Sequence, residues 1–241
     1  MVVSEYQPTA EENLFLSYYD ALIRETIYAR SHFKIWELMI DSIKEYSHEF
    51  NNAPHFFRFT IKSHLDDVIL TLSRILDENE KSLSIWKFLC YVEQNRSMFS
   101  TQAFQKRIKN SEDREYSLRT HIPIRFHDIL EHRNILYGLQ KEIETIKKWR
   151  DKKLAHIDIK SHIKNEKITL KRDQIENIID TLGSILNKYS IAYNQTGWLI
   201  KFVGENDFES VLDAIRFRIV ENKKLLEAMK MGKNVVNDEH F

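Results

Sequence analysis

Five glycines and three prolines in 241 residues leave this chain little material for tight turns. A multistranded sheet needs such turns at short intervals, so the scarcity predicts helices. The three prolines agree with that reading. Pro8 precedes TAEENLFLSYY, Pro54 opens PHFFRFTIKSHLDD and Pro123 opens PIRFHDILEH, and a proline near a first helical turn loses no needed hydrogen bond. The expected fold class is all-α: an antiparallel helical bundle with an additional C-terminal helix.

Periodicity places the helices. A first runs over about residues 9–49, long enough to invite a kink, with Leu14, Phe15, Tyr18, Leu22, Phe33, Trp36, Ile40 and Ile43 on its apolar face. A second, about 54–78, carries Leu65, Val68, Ile69, Leu72, Ile75 and Leu76 at spacings of three and four, and a third follows at about 82–95 as an antiparallel neighbour. Residues 96–120 are polar and weakly periodic, and read as a long loop or a short excursion. A fourth helix spans about 123–157, with Leu139, Ile143 and Ile146 on one face. Asp173 is an expected N-cap for a fifth, whose Ile175, Ile178, Ile179, Leu182, Ile185, Leu186 and Tyr189 face inward. Gly197 and Gly204 bracket WLIKFV, and a last helix ends at Gly232. The organisation expected is one domain over 1–241: a bundle over 10–195, an accessory helix over 205–231 and a disordered tail over 232–241.

With 36 basic and 36 acidic side chains the charge is balanced, which argues against bulk electrostatic coating of nucleic acid or membrane. The single cysteine, Cys90, allows no intrachain disulfide and points to a reducing cytoplasm, its thiol packed in a core. No secretion signal opens the chain and no segment is apolar enough to span a bilayer, so a cytoplasmic protein away from membranes is expected.

The informative stretch is WRDKKLAHID, Trp149 to Asp158. On a continuous helix Arg150 lies four residues after Ile146 and four before Leu154, so a guanidinium falls on the apolar stripe and needs a partner there, either a carboxylate from another helix or an external anion. His156 is six residues on, roughly 120° around an α-helix from Arg150 and on the side of Trp149. The two converge on one ligand if the helix bends or if a second copy packs across it, which predicts a homodimer with a composite cleft. Lys147, Lys148, Lys152 and Lys153 surround the pair against the single acid Asp151, forming a local phosphate-attracting spot. Arginine's planar fork suits a phosphodiester, and histidine moves protons near neutrality. With RNA a base takes the 2′-hydroxyl proton, the oxygen attacks its own phosphate, and arginine stabilises the developing charge, with no metal or other cofactor.

RDKKLAHID resembles the signature of the HEPN superfamily, an arginine followed after four to six residues by a histidine, in the variant with a polar residue, here Asp151, directly after the arginine. HLDDVILTLSRILDENEKSLSIWKFL is similar to a helix pair of the HEPN branch associated with abortive-infection proteins of the U type, with Arg74 and Asp77 at its paired polar positions. The resemblance covers about residues 10–195. It implies a helical bundle dimerised around the motif, and a metal-independent endoribonuclease of phage defence or of a toxin–antitoxin system. Arg150 and His156 would then be catalytic with Asp151 orienting, Lys147, Lys148, Lys152, Lys153 and Trp149 would bind substrate, and Arg74, Asp77 and Asp158 would support. RNA, a second copy and an antitoxin or other defence protein are the implied partners. Asp158 stands where some branches carry a modifiable tyrosine, so regulation by that route is not expected here.

Blander readings stand beside these. The motif alone fits a solvated basic helix end, and Arg74 with Asp77 and Glu78 fits a surface network at i,i+3 and i,i+4. His121, His127 and His132, with Asp128, lack the dense ligand set of a metal site, and His64 with Asp66 and Asp67 reads as a polar face. Most aromatic residues fall on the apolar stripes, so core packing explains them better than base stacking. The competing function is a catalytically silent helical interaction module, and a third is a nucleotide-sensing domain.

Overall fold

Thr9 and Glu12 start the first helix by a reciprocal cap: the Glu12 amide donates to Thr9 Oγ1 at 3.2 Å and the Thr9 amide donates to Glu12 Oε2 at 2.9 Å. From there the computed structural model describes residues 6–155 and 170–230. Among the described residues there are ten α-helices and no strand. They are α1 Ala10–Ser42, α2 Ser47–Asn52, α3 Pro54–Ile75, α4 Ile85–Gln94, α5 Thr101–Arg107, α6 Arg114–Thr120, α7 Phe126–Gly138, α8 Gln140–Trp149, α9 Arg172–Asn194 and α10 Glu205–Lys230. A 3₁₀ turn, Arg96–Phe99, precedes α5, and a π turn, Arg150–Ala155, comes after α8. None of the described helices is long and apolar enough to cross a membrane. Contacts sort the chain into two compact units, Met1–Phe33 with Asp66–Lys201, and Lys34–Leu65 with Phe202–Phe241.

The first unit is built around aromatic rings. Phe15 of α1 meets Phe99 of the 3₁₀ turn edge-on at 5.2 Å and Tyr193 of α9 at 5.0 Å, while Tyr189 of α9 packs edge-on against Phe88 of α4 at 5.3 Å. Buried beside them, Arg107 donates through Nη1 to Glu12 Oε1 at 2.7 Å, through Nη2 to the Met98 carbonyl at 2.8 Å and through Nε to the Tyr193 carbonyl at 2.9 Å. Its guanidinium lies 4.1 Å from the centre of the Tyr193 ring. The Tyr6 hydroxyl also donates to Glu12. After α9, the non-helical residues 196–200 are held at Trp198 by one side chain: Asn187 Nδ2 donates to the Trp198 carbonyl and its Oδ1 accepts from the Trp198 amide, both at 2.8 Å.

The second unit closes over Met39, Tyr46, Phe50, Phe57 and Leu212, with Phe208 and Ile215 of α10 packed against them. Arg216 of α10 stacks 4.2 Å over the Tyr46 ring and donates from Nε to Glu49 Oε1 at 2.8 Å.

Several expectations need correction. The first helix stops at Ser42, and a turn over 43–46 separates it from α2. Within its expected face Leu14 and Ile43 are exposed, because Phe15, Tyr19, Leu22 and Ile23 set the buried stripe one residue further on. Residues 96–120 are not a loop but the 3₁₀ turn, α5 and α6, since Met98, Phe99 and Phe104 are buried anchors too few to register as periodicity. The helix expected over 123–157 is jointed at Gly138 and Leu139, where the Leu139 amide turns back to the Leu136 carbonyl at 3.1 Å. Asp173 does not cap α9, because Gln174 does, accepting the Lys171 amide at 2.9 Å. Cys90 is exposed rather than packed. Among the aromatics, Phe56, Phe59, Tyr116, Tyr137 and Phe217 are exposed. The tail over 232–241 lies outside the described residues.

Burial pushes the imidazoles of His32, His121 and His132 below the usual histidine range, and His132 Nδ1 sits 2.8 Å from the Tyr189 hydroxyl. The unfolded chain therefore takes up protons near its ordinary value of 6.5 while the folded chain still resists them, so stability falls as pH drops through that value. The urea midpoint is expected to be lower at pH 5.5 than at pH 7.5, with a smaller drop in His132→Gln. A midpoint that rises on acidification would contradict this assignment.

Candidate functional site

α8 delivers the motif. Ile143 and Ile146 on its inner face are fully buried, and Arg150 comes next on the same stripe with its side chain 31 % exposed, so the guanidinium emerges at the edge of the core. At Arg150 the backbone changes period and winds as a π turn to Ala155, in which each hydrogen bond spans five residues instead of four. Such turns are rare and concentrate at functional sites. The 120° offset expected between Arg150 and His156 assumes an α-helical period and does not carry through this turn. His156 and Asp158 lie outside the described residues, as does the side chain of Lys153.

Arg150 Nε donates to Asp151 Oδ1 at 2.7 Å. That bond raises the guanidinium's already high pKa, partial burial lowers it, and the charges of Asp151 and Asp77 raise it further. The partner that the stripe position demands is thus the adjacent residue, with a second carboxylate within electrostatic reach. Among the described residues the two Nη groups of Arg150 donate to nothing.

Asp77 belongs to the turn after α3, in which side chains replace helical hydrogen bonds. Its Oδ1 accepts the Asn79 amide at 3.1 Å, its Oδ2 accepts the Ser82 hydroxyl at 2.8 Å, and Asn79 Oδ1 accepts the Lys81 amide at 3.0 Å. Burial pushes the Asp77 carboxyl up, but Ser82, the Asn79 amide and the charges of Arg150 and Lys147 outweigh it and hold the group below the usual carboxylate range. Glu78 of the same turn pairs with Lys147 of α8 at 3.1 Å. The DEN turn is thereby fastened to the basic end of α8 by the Glu78–Lys147 pair, with the Asp77 carboxylate within electrostatic reach of Arg150 and Lys147.

The remaining expected residues separate. Lys148 is exposed, and Trp149 and Lys152 are half-buried. Arg74 points elsewhere: its Nη2 donates to Glu25 of α1 at 2.6 Å and to Thr71 at 3.2 Å, so neither Asp77 nor Glu78 is its partner. The histidine cluster dissolves, because Asp128 caps α7 by accepting the Arg125 amide at 2.7 Å and His132 turns inward to Tyr189. Among the described residues no group of three His, Cys, Asp or Glu side chains is placed to hold a metal ion.

Sequence reasoning missed the cleft beside this site. Glu78, Trp86, Tyr137 and Gln140 line a space of about 330 Å³, bringing together the turn after α3, the start of α4 and the α7–α8 joint. The one available signal was Tyr137 beside the only glycine of its helix.

In comparisons with known proteins, residues 13–214 match the family model HEPN_AbiU2, described as AbiU2. The match continues into α10, beyond the stretch over 10–195 that the motifs alone delimit. No curated protein and no solved structure matches the chain. A family model spanning this much of the sequence, on an all-helical chain with an Arg150-to-His156 motif at the end of a basic helix, fixes the assignment: this protein belongs to the AbiU2 family of the HEPN superfamily, the U2-type abortive-infection proteins.

Proposed function

We propose that this abortive-infection HEPN protein is a metal-independent endoribonuclease, acting in the cytoplasm as a homodimer, in phage defence or opposite an antitoxin. The observation that carries the reading is the disposition of Arg150: Asp151 holds Nε, which orients the guanidinium, while among the described residues neither Nη group donates to a protein acceptor, leaving both for a phosphate. Lys147, Lys148 and Lys152 add positive potential around it.

In the proposed reaction His156 takes the proton of the RNA 2′-hydroxyl and O2′ attacks the adjacent phosphorus. The P–O5′ bond breaks and the leaving oxygen receives a proton in place of the one His156 removed from O2′, which restores the neutral imidazole and gives a 2′,3′-cyclic phosphate and a 5′-hydroxyl. Arg150 neutralises the charge that develops on the non-bridging oxygens. Water is not consumed and no oxidant or reductant enters.

One observation favours the competing reading, a catalytically silent interaction module: two carboxylates, Asp151 and Asp77, already attend Arg150. The experiment that separates the two uses end-labelled single-stranded RNA in excess EDTA. The expected products carry 2′,3′-cyclic phosphate ends and are absent with a folded His156→Ala variant. Cleavage that stops in EDTA, or that survives His156→Ala, overturns the proposal. Silence of the unaltered protein across several RNAs favours the module.

A further inference from the structure

We propose that the cleft lined by Glu78, Trp86, Tyr137 and Gln140 is a nucleobase subsite, selecting a base that bears an exocyclic amino group; it rests on the endoribonuclease reading and names the part of the RNA that the protein holds beside the cleaved bond.

Two aromatic side chains form one wall. The Trp86 and Tyr137 rings lie 5.2 Å apart at 36°, and Tyr137 is 60 % exposed although it sits on a helix that buries Ile129, His132 and Leu136. An exposed aromatic backed by a second ring is a ready stacking platform, and it suits any base because every base has a π face. The polar lining narrows the choice. Glu78 supplies a carboxylate, which only accepts hydrogen bonds, and Gln140 supplies an amide, which both accepts and donates. Adenine, cytosine and guanine each present an amino group to such a carboxylate. Uracil presents two carbonyls flanking a single N–H, and these are repelled by it.

The position of the cleft ties it to the motif. Glu78 Oε1 lies 3.1 Å from Lys147 Nζ, and Lys147 precedes Arg150 by three residues on the same helix. Lys147 thus stands at the edge of the cleft, and a base held there has its own phosphate near a cation of the motif's helix. The same ion pair argues against a cationic ligand, such as a lysine or arginine of a protein partner. Glu78 already has a cation beside it, and Lys148 and Arg150 add positive potential that would repel a second positive charge while attracting a nucleotide's negative one.

The variants needed are mild. The Trp86 indole N–H is shielded from solvent and has no hydrogen-bond partner among the described residues, so Trp86→Phe breaks no bond that these residues rely on. Tyr137 and Glu78 are both exposed, so Tyr137→Ala and Glu78→Gln remove little packing.

The test is a titration of the full chain with AMP, CMP, GMP and UMP, monitored by tryptophan emission. AMP, CMP and GMP are expected to quench a saturable fraction of the signal that is missing in Trp86→Phe, with UMP binding about tenfold more weakly. Tyr137→Ala is expected to weaken the first three by about tenfold, and Glu78→Gln to bring UMP level with them. Nucleotides that bind no better than ribose 5-phosphate, or quenching unchanged in Trp86→Phe and Tyr137→Ala, overturn the subsite. Because nucleotide binding needs no cleavage, a protein that binds as described and never cuts RNA retains the subsite and loses the nuclease. If RNA is cut, Tyr137→Ala is expected to raise KM with little change in kcat. An unchanged KM removes the subsite and leaves the nuclease.

Discussion

Arg150→Ala is expected to lower kcat/KM for RNA cleavage by about 10²- to 10³-fold, the range seen when one pre-placed donor is removed from a developing negative charge, while the protein remains folded. The two halves of that statement have separate grounds. The guanidinium is 31 % exposed and, among the described residues, bonded only to its neighbour Asp151, so its loss leaves no deeply buried acid there stranded. Its open Nη pair is the feature the reaction would use. Arg150→Lys keeps the charge but not the fork, and should fall between the two. Asp151→Ala leaves the guanidinium in place but free to rotate, so a loss of about tenfold is expected, smaller than a full displacement of a catalytic group by 1 Å would give. Initial rates with each variant, normalised to the folded fraction by circular dichroism, check the order. If all three variants cut RNA as fast as the unaltered protein, Arg150 has no part in the chemistry. If activity merely tracks the folded fraction, its role is structural.

The largest loss of stability is expected at Arg107→Ala. Its side chain is 6 % exposed and its partner Glu12 is 5 % exposed, so removing the cation leaves a buried carboxylate whose remaining partners among the described residues are the Tyr6 hydroxyl and the Thr9 amide. Burial drives that carboxyl up, and Tyr6, Thr9 and Arg107 together overcome it. Deleting one member of a buried ion pair costs about 3–5 kcal/mol, a large part of the ~5–15 kcal/mol by which a protein is folded. In a chain of this size the melting temperature should fall by roughly 6–20 °C. Replacing both partners by apolar residues, Glu12→Leu with Arg107→Met, should recover most of the loss, because no charge is left stranded. A single variant that melts within about 3 °C of the unaltered protein, or a double variant worse than the single, would remove this pair from the account.

Arg107 also marks where the sequence stops being readable. In QKRIKNSED it looks like one more surface cation, and nothing local says that three acceptors from α1, the 3₁₀ turn and α9 converge on it. Long stripes behave differently: all seven residues assigned to the inner face of α9, from Ile175 to Tyr189, are buried. Periodicity averages over many turns, so it survives single errors, whereas helices of seven residues such as α5 and α6 offer two turns and no average. One-residue ambiguities have the same cause: Leu14 and Phe15 are adjacent and both apolar, and only the latter is buried. At the site, the need of Arg150 for an anionic partner is legible from its place on the stripe, but the expected carboxylate of another helix is not what bonds it: the adjacent Asp151 does, with Asp77 only in electrostatic reach. The cleft is not legible, because Glu78, Trp86 and Tyr137 meet only after three helices have folded.

The π turn at Arg150–Ala155 has a bearing on how such a motif can vary. A helix that already carries a surplus residue in one turn can gain or lose another there and resume its course, while the residues upstream keep their register against the core. Ile143, Ile146 and Arg150 would stay where they are if a residue were added or deleted among Asp151 to Ala155, and only the downstream residues would rotate. The spacing that follows the arginine is then an adjustable setting, which the π turn absorbs while the residues upstream stay seated in the bundle.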